Sequence, residues 1–289
     1  MQENYIGSVR FYKNLILLIV IIMILTPSVF ATYYKSHYLK LKAELNENEL
    51  GTEEVTPYAD LSYQSLYPDF YVDPPTMHAE RDEKTIFLTF DDGPSQRTDE
   101  ILAILAEKDV KATFFVVGKS DEESYDRLRA IVEQGHTLAM HSYSHDYESI
   151  YSSVEAYLTD MYQVFDMIKR ETGTTPTLYR FPGGSINAYN SGIYEELIAE
   201  MTRRGFIAHD WNISSQDAVN TLPSKNIILN NVIGQANNKT YGIVLMHDSA
   251  GKATTVAALP EMIDSLKEKG FVFDKLEQED APIFFGYRK

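Results

Sequence analysis

The chain has 289 residues, enough for one sizeable core with extensions. Its net charge of -16 argues against a nucleic-acid partner, because gripping phosphates takes clustered Lys and Arg. With no Cys it has no disulfide framework, thiolate metal site or cysteine nucleophile, so any metal must be held by His and carboxylate. Arg10 and Lys13 precede a run of apolar residues, 15–25. Counted over 14–34, with Tyr33 and Tyr34 at its outer edge, the stretch is long enough to span a bilayer. It is read as an uncleaved signal-anchor behind a short cytoplasmic segment, 1–13, with cleavage near Ala31 as the alternative. Either reading exports the rest of the chain.

Residues 35–80 read as an acidic stalk containing Tyr and Pro, with six acids against one Lys over 42–60. Part of it, around Tyr63 to Tyr71, is expected to pack on the domain that occupies 81–289. From residue 85, short apolar runs alternate with amphipathic patterns. Strands are predicted at 85–90, 112–117, 137–140, 177–181, 206–211, 242–247 and 271–273. Helices fall between them at 98–108, 122–134, 152–171, 191–204, 224–237 and 254–268. This alternation predicts an α/β fold with a parallel sheet, and seven strands suggest a distorted, incomplete (β/α)7 barrel.

In such folds the strand ends converge on the site, and here they carry polar groups. Strand 85–90 runs into Asp91-Asp92-Gly93. After 137–140 comes His141-Ser142-Tyr143-Ser144-His145, whose imidazoles would share one face of a helical turn and so one metal ion. The fourth strand ends in Arg180-Phe181, the fifth in Trp211 with Asp217 six residues on, and the sixth in Leu245-Met246-His247. His136 and His209 are read as structural, and Asp210 and Asp248 as loop tethers. A cation beside a carboxylate keeps it ionised and able to accept a proton, and a His backed by a carboxylate can be charged near pH 7.

Five stretches in order, Thr89 to Gly93, His141 to His145, Arg180 to Gly184, Trp211 to Asp217 and Leu245 to His247, resemble the polysaccharide deacetylases of carbohydrate esterase family 4, the NodB homology domain. The match covers about 84–276 and is similar to the Gram-positive peptidoglycan N-acetylglucosamine deacetylases. The resemblance implies a metal triad of Asp92, His141 and His145, with Zn2+ favoured over Co2+, Mn2+ or Ni2+. It implies Asp91 as general base partnered by Arg180, and His247 as general acid oriented by Asp217. Trp211 and Leu245 would wall the acetyl pocket, and the backbone N–H of Gly183 would stabilise the oxyanion. Two positions depart from the family: Gly183 stands where Tyr is common, and Ala218 where Trp is common. The expected activity is N-deacetylation of a cell-envelope polysaccharide by a monomeric catalytic domain held at the membrane by its N-terminal helix. Peptidoglycan is the favoured substrate, with chitooligosaccharide, N-acetylmuramic acid or an O-acetylated glycan as alternatives. A non-catalytic carbohydrate-binding surface protein is the reading from another class.

Overall fold

In the computed structural model, residues 61–75, 83–218 and 223–285 are described. The segments expected at 1–13 and 14–34, and the acidic part of the stalk up to 60, lie outside the described residues. Among the described residues no helix is long and apolar enough to cross a membrane.

The sheet is built on β1 (Thr85–Gly93), whose β-branched and aromatic residues are buried almost throughout. Around it lie β2 (Thr113–Val116), β3 (Thr137–Met140), β4 (Leu178–Tyr179), β5 (Ile207–Ala208), β6 (Ile213–Ser214), β7 (Tyr241–His247) and β8 (Val272–Asp274). The order is β5-β4-β3-β2-β1-β7-β6, with β8 beside β1. Every pairing is parallel. One edge of β1 is shared: β2 pairs its C-terminal half from Thr89, and β8 its N-terminal half at Thr85 to Phe87. No ladder joins β5 to β6 among the described residues, so the barrel stays open as expected. The strand number differs from expectation, eight in place of seven, because β6 is a separate two-residue ladder against β7. The fourth and fifth strands shrink to two residues each, since the chain leaves the sheet at Arg180 and His209 to build loops.

The helices form the outer layer: α1 (Gln96–Glu107), α2 (Glu122–Glu133), α3 (Tyr147–Ile150), α4 (Val154–Thr172), α5 (Tyr194–Arg203), α6 (Lys225–Ala236) and α7 (Ala253–Glu268). Their starts carry local signals. Ser95 and Thr98 form a capping box on α1, while Asp121 and Ser153 accept N–H groups at the heads of α2 and α4. Gly173 closes α4 in the left-handed conformation that glycine adopts without strain.

Alternation along the strands divides the core in two. Ile86, Leu88, Phe90, Phe114, Met140, Tyr179 and Met246 join the large cluster under the helices. Phe87, Phe115, Ala139, Leu178 and Ile243 form a smaller cluster inside the barrel. With a side-chain period of two, the inward rows continue to Asp91, His141, Arg180 and His247. The pattern that packs the barrel interior therefore also delivers four polar groups to its mouth.

Within the lead-in, residues 61–75 pack on the domain, as expected around Tyr63 to Tyr71. Phe70 is fully buried, its ring 4.9 Å from that of Phe165 and 4.7 Å from that of Phe206. Tyr67 stacks on Tyr162 at 4.3 Å. The fully buried Arg204 donates to the carbonyls of Tyr63, Leu66, Tyr67 and Phe70, its charge paired with buried Glu200 at 2.7 Å. Aromatic burial and an internal cation hold the segment.

Candidate active site

Two adjacent residues of a regular strand point to opposite faces, yet Asp91 and Asp92 both reach the same imidazole. A break in the β1–β2 register between Asp91 and Gly93 resolves this, because Asp92 is the extra residue of a bulge. Its φ of 72° turns it back toward the inward side. His141 Nε2 consequently lies 3.7 Å from an oxygen of Asp91 and 3.7 Å from one of Asp92, and His145 Nε2 is 3.2 Å from the same Asp92 oxygen.

The two imidazoles do not sit on a helical turn, contrary to the sequence expectation. Residues 141–146 form an irregular loop in which Ser142 (φ 94°) and His145 (φ 55°) take left-handed conformations. The rings still meet, with centroids 5.2 Å apart. Asp160 of α4 fixes the loop by accepting the N–H groups of Tyr143 (2.5 Å) and Ser144 (2.9 Å). The sequence reading missed this residue, which is an ordinary acid on an amphipathic helix until the fold brings the loop to it.

Asp92, His141 and His145 each offer a ligand atom, all within 4.8 Å of one another. Three observations test whether they suit a metal ion. Burial lowers the His141 pKa to about 3, so its ring is neutral. His141 Nδ1–H donates to the Arg180 carbonyl at 2.9 Å, which leaves the Nε2 lone pair facing the cluster. The buried Asp92 Oδ1 has no hydrogen-bond partner among the described residues, and its 3.2 Å approach to His145 lacks hydrogen-bond geometry. A neutral imidazole, an oriented lone pair and an unpartnered carboxylate oxygen fit a divalent cation.

On one flank Asp91 is buried and paired with fully buried Arg180 at 2.7 Å. Burial pushes the Asp91 carboxyl above its ordinary value, and Arg180 and His247 oppose that rise. Arg180 is fixed by donating to Thr89 Oγ1 (2.8 Å) and to the His209 carbonyl (2.6 Å), with its guanidinium 4.0 Å over the Phe115 ring. On the other flank His247 Nδ1–H donates to Asp217 Oδ1 at 2.7 Å. The second Asp217 oxygen accepts from the His247 N–H (2.9 Å) and Thr255 Oγ1 (2.8 Å). Burial works against charging His247, yet its bond to Asp217 and that carboxylate's charge outweigh it and raise the imidazole. Burial also opposes ionisation of Asp217, but His247 and Thr255 hold it below the ordinary carboxylate value.

These groups face a cavity of about 400 Å³, lined also by Gly183, Trp211, Leu245, Tyr147 and Ala218. The structure thus gathers all ten sequence-derived site residues around one region, eight on the cavity wall and Arg180 and Asp217 directly behind it. Tyr147 was not foreseen. His136 and Asp210 take structural positions, His136 Nδ1 accepting the Ala112 N–H and Asp210 tethering Ser185 and Phe285. Asp248 accepts from Thr98 Oγ1 at 2.7 Å, and burial pushes its carboxyl up to about 7.

Comparison with known proteins agrees with this geometry. The family model described as polysaccharide deacetylase matches residues 78–202. A peptidoglycan-N-acetylglucosamine deacetylase of Bacillus cereus is 34% identical over 71% of this chain and 74% of its own length. A putative polysaccharide deacetylase of Bacillus subtilis, YheN, is 32% identical over 70% of each chain. The crystal structure of the catalytic domain of peptidoglycan N-acetylglucosamine deacetylase from Eubacterium rectale superposes with a TM-score of 0.70 at 34% identity, covering 74% of this chain and 98% of that one. With the open parallel barrel and the clustered carboxylates and imidazoles, these relationships place the chain in the polysaccharide deacetylase family.

Proposed function

We propose that the chain hydrolyses the N-acetyl group of N-acetylglucosamine in peptidoglycan, releasing acetate and leaving a free amine on the sugar. The observation that carries this reading is the arrangement around one cavity: a three-ligand cluster between a buried Asp–Arg pair and a His–Asp pair. The relatives named for peptidoglycan supply the substrate class.

In this reading Asp92, His141 and His145 hold a divalent ion, and two imidazoles with one carboxylate suit Zn2+. Such an ion acts as a Lewis acid and makes water a competent nucleophile near neutral pH. Asp91 takes the proton of the attacking water, and Arg180 fixes the carboxylate that does so. The Gly183 N–H serves the developing oxyanion, while Trp211 and Leu245 enclose the acetyl methyl. His247, charged with help from Asp217, gives its proton to the departing nitrogen, since an unprotonated amine leaves poorly. The apolar stretch 14–34 supports an anchored protein whose domain lies outside the membrane, close to the wall.

Acetate release from N-acetylated peptidoglycan and from chitooligosaccharide, before and after chelation and with Zn2+ restored, tests the reading. Release that chelation abolishes and metal restores is expected, with peptidoglycan preferred. Release unaffected by chelation would overturn the metal assignment, and preference for chitooligosaccharide would overturn the substrate.

A further inference from the structure

Tyr189 is the one aromatic side chain among the exposed large hydrophobic residues described, with 54% of its surface accessible. The Tyr189 N–H donates to Asn187 Oδ1 at 2.8 Å, and Asn187 Nδ2 donates to the carbonyls of Pro182 (3.1 Å) and Gly184 (3.2 Å). The ring meets that of Tyr147 at 5.3 Å and 62°, and Tyr147 stands edge-on to the His145 imidazole at 5.3 Å. Tyr147 itself lines the cavity. A line of aromatic edges thus runs outward from the ligand cluster to solvent.

Gly183 makes room for it. A Cβ at that position would come within 2.8 Å of Tyr147 Cε1, and the backbone φ of 79° disfavours any side chain there.

We propose that Tyr147 and Tyr189 form a sugar-binding shelf, with Tyr189 stacking on the apolar C–H face of the pyranose that adjoins the reacting one. This rests on the glycan reading given above. A pyranose presents C–H groups on one face and hydroxyls at its rim, which matches an aromatic face with a wet phenolic end. Tyrosine supplies that surface at a low entropic cost, having only two rotatable angles to fix.

The test compares the full-length protein with Tyr189→Ala and Tyr189→Phe on N-acetylglucosamine di- and tetrasaccharides. Stacking at this site predicts that Tyr189→Ala raises KM for the tetrasaccharide by roughly five-fold, with little change in kcat, and that Tyr189→Phe restores it. An unchanged KM would overturn the shelf while leaving deacetylation standing. Calorimetric binding of the tetrasaccharide to Asp91→Asn protein, with and without Tyr189→Ala, reads the shelf without catalysis. Weaker binding on loss of the ring supports the shelf even if no acetate is ever released; equal binding, or none to either protein, overturns it.

Discussion

At the scale of the residue, the two pairs that flank the cavity have opposite charge requirements. Asp91 must be ionised to accept a proton, and His247 must be charged to give one, so activity is lost as pH falls through the first and as it rises through the second. Burial moves the Asp91 limb upward, and the Asp217 contact moves the His247 limb upward. Asp217→Asn removes the negative charge and leaves burial to act on the imidazole. The alkaline limb of kcat/KM is therefore expected at lower pH in that variant, and a pH–rate profile with an unmoved limb would show that Asp217 does not set it. Asp91→Asn keeps an oxygen for Arg180 but cannot hold the proton, so kcat is expected to drop about 10²- to 10⁴-fold with the fold intact. Steady-state acetate release beside a melting curve separates that loss from unfolding.

At the scale of the element, the legible and the hidden parts of the site have different causes. Asp91, His141, Arg180 and His247 could be placed from sequence because strand alternation fixes which residues face inward, and each stands at the end of an apolar run. Asp92 and His145 depend on local backbone that periodicity does not encode, a bulge in one case and a left-handed loop in the other. Hence the pair 141 and 145 suggests the right partners through the wrong geometry. Asp160 lies beyond such reasoning, because its role depends on where α4 passes the loop. Its carboxylate is an outer support of the ligand cluster, and Asp160→Ala is expected to weaken metal binding about 10- to 100-fold. The exposed Asp166 on the same helix, paired with Arg170, is the control. Competitive Zn2+ titration of the two variants decides the matter, and equal affinities would remove Asp160 from the site.

At the scale of the molecule, the region leading into the domain joins what composition suggests to what only the fold shows. Its tyrosines around 63–71 point to packing on the domain, while the contacts that hold it, the burial of Phe70 and the stacking of Tyr67, are tertiary effects. The decisive interaction is Arg204, a buried cation that holds four carbonyls of the lead-in and one carboxylate of its own helix. Its desolvation is tolerable only while all those acceptors are present. Removing Phe70 and its neighbours would leave Arg204 and Glu200 as a pair stripped of most surrounding acceptors and expose Phe165 and Phe206 to water. A protein beginning at residue 61 is therefore expected to fold and release acetate, whereas one beginning at residue 76 is expected to be destabilised by about 3–5 kcal/mol. Arg204→Ala should fall in the same range, since Glu200 would keep a buried charge with only Arg203 to pair it. Urea denaturation of the three proteins measures these differences. Equal midpoints would mean that the lead-in adheres to the domain without supporting it.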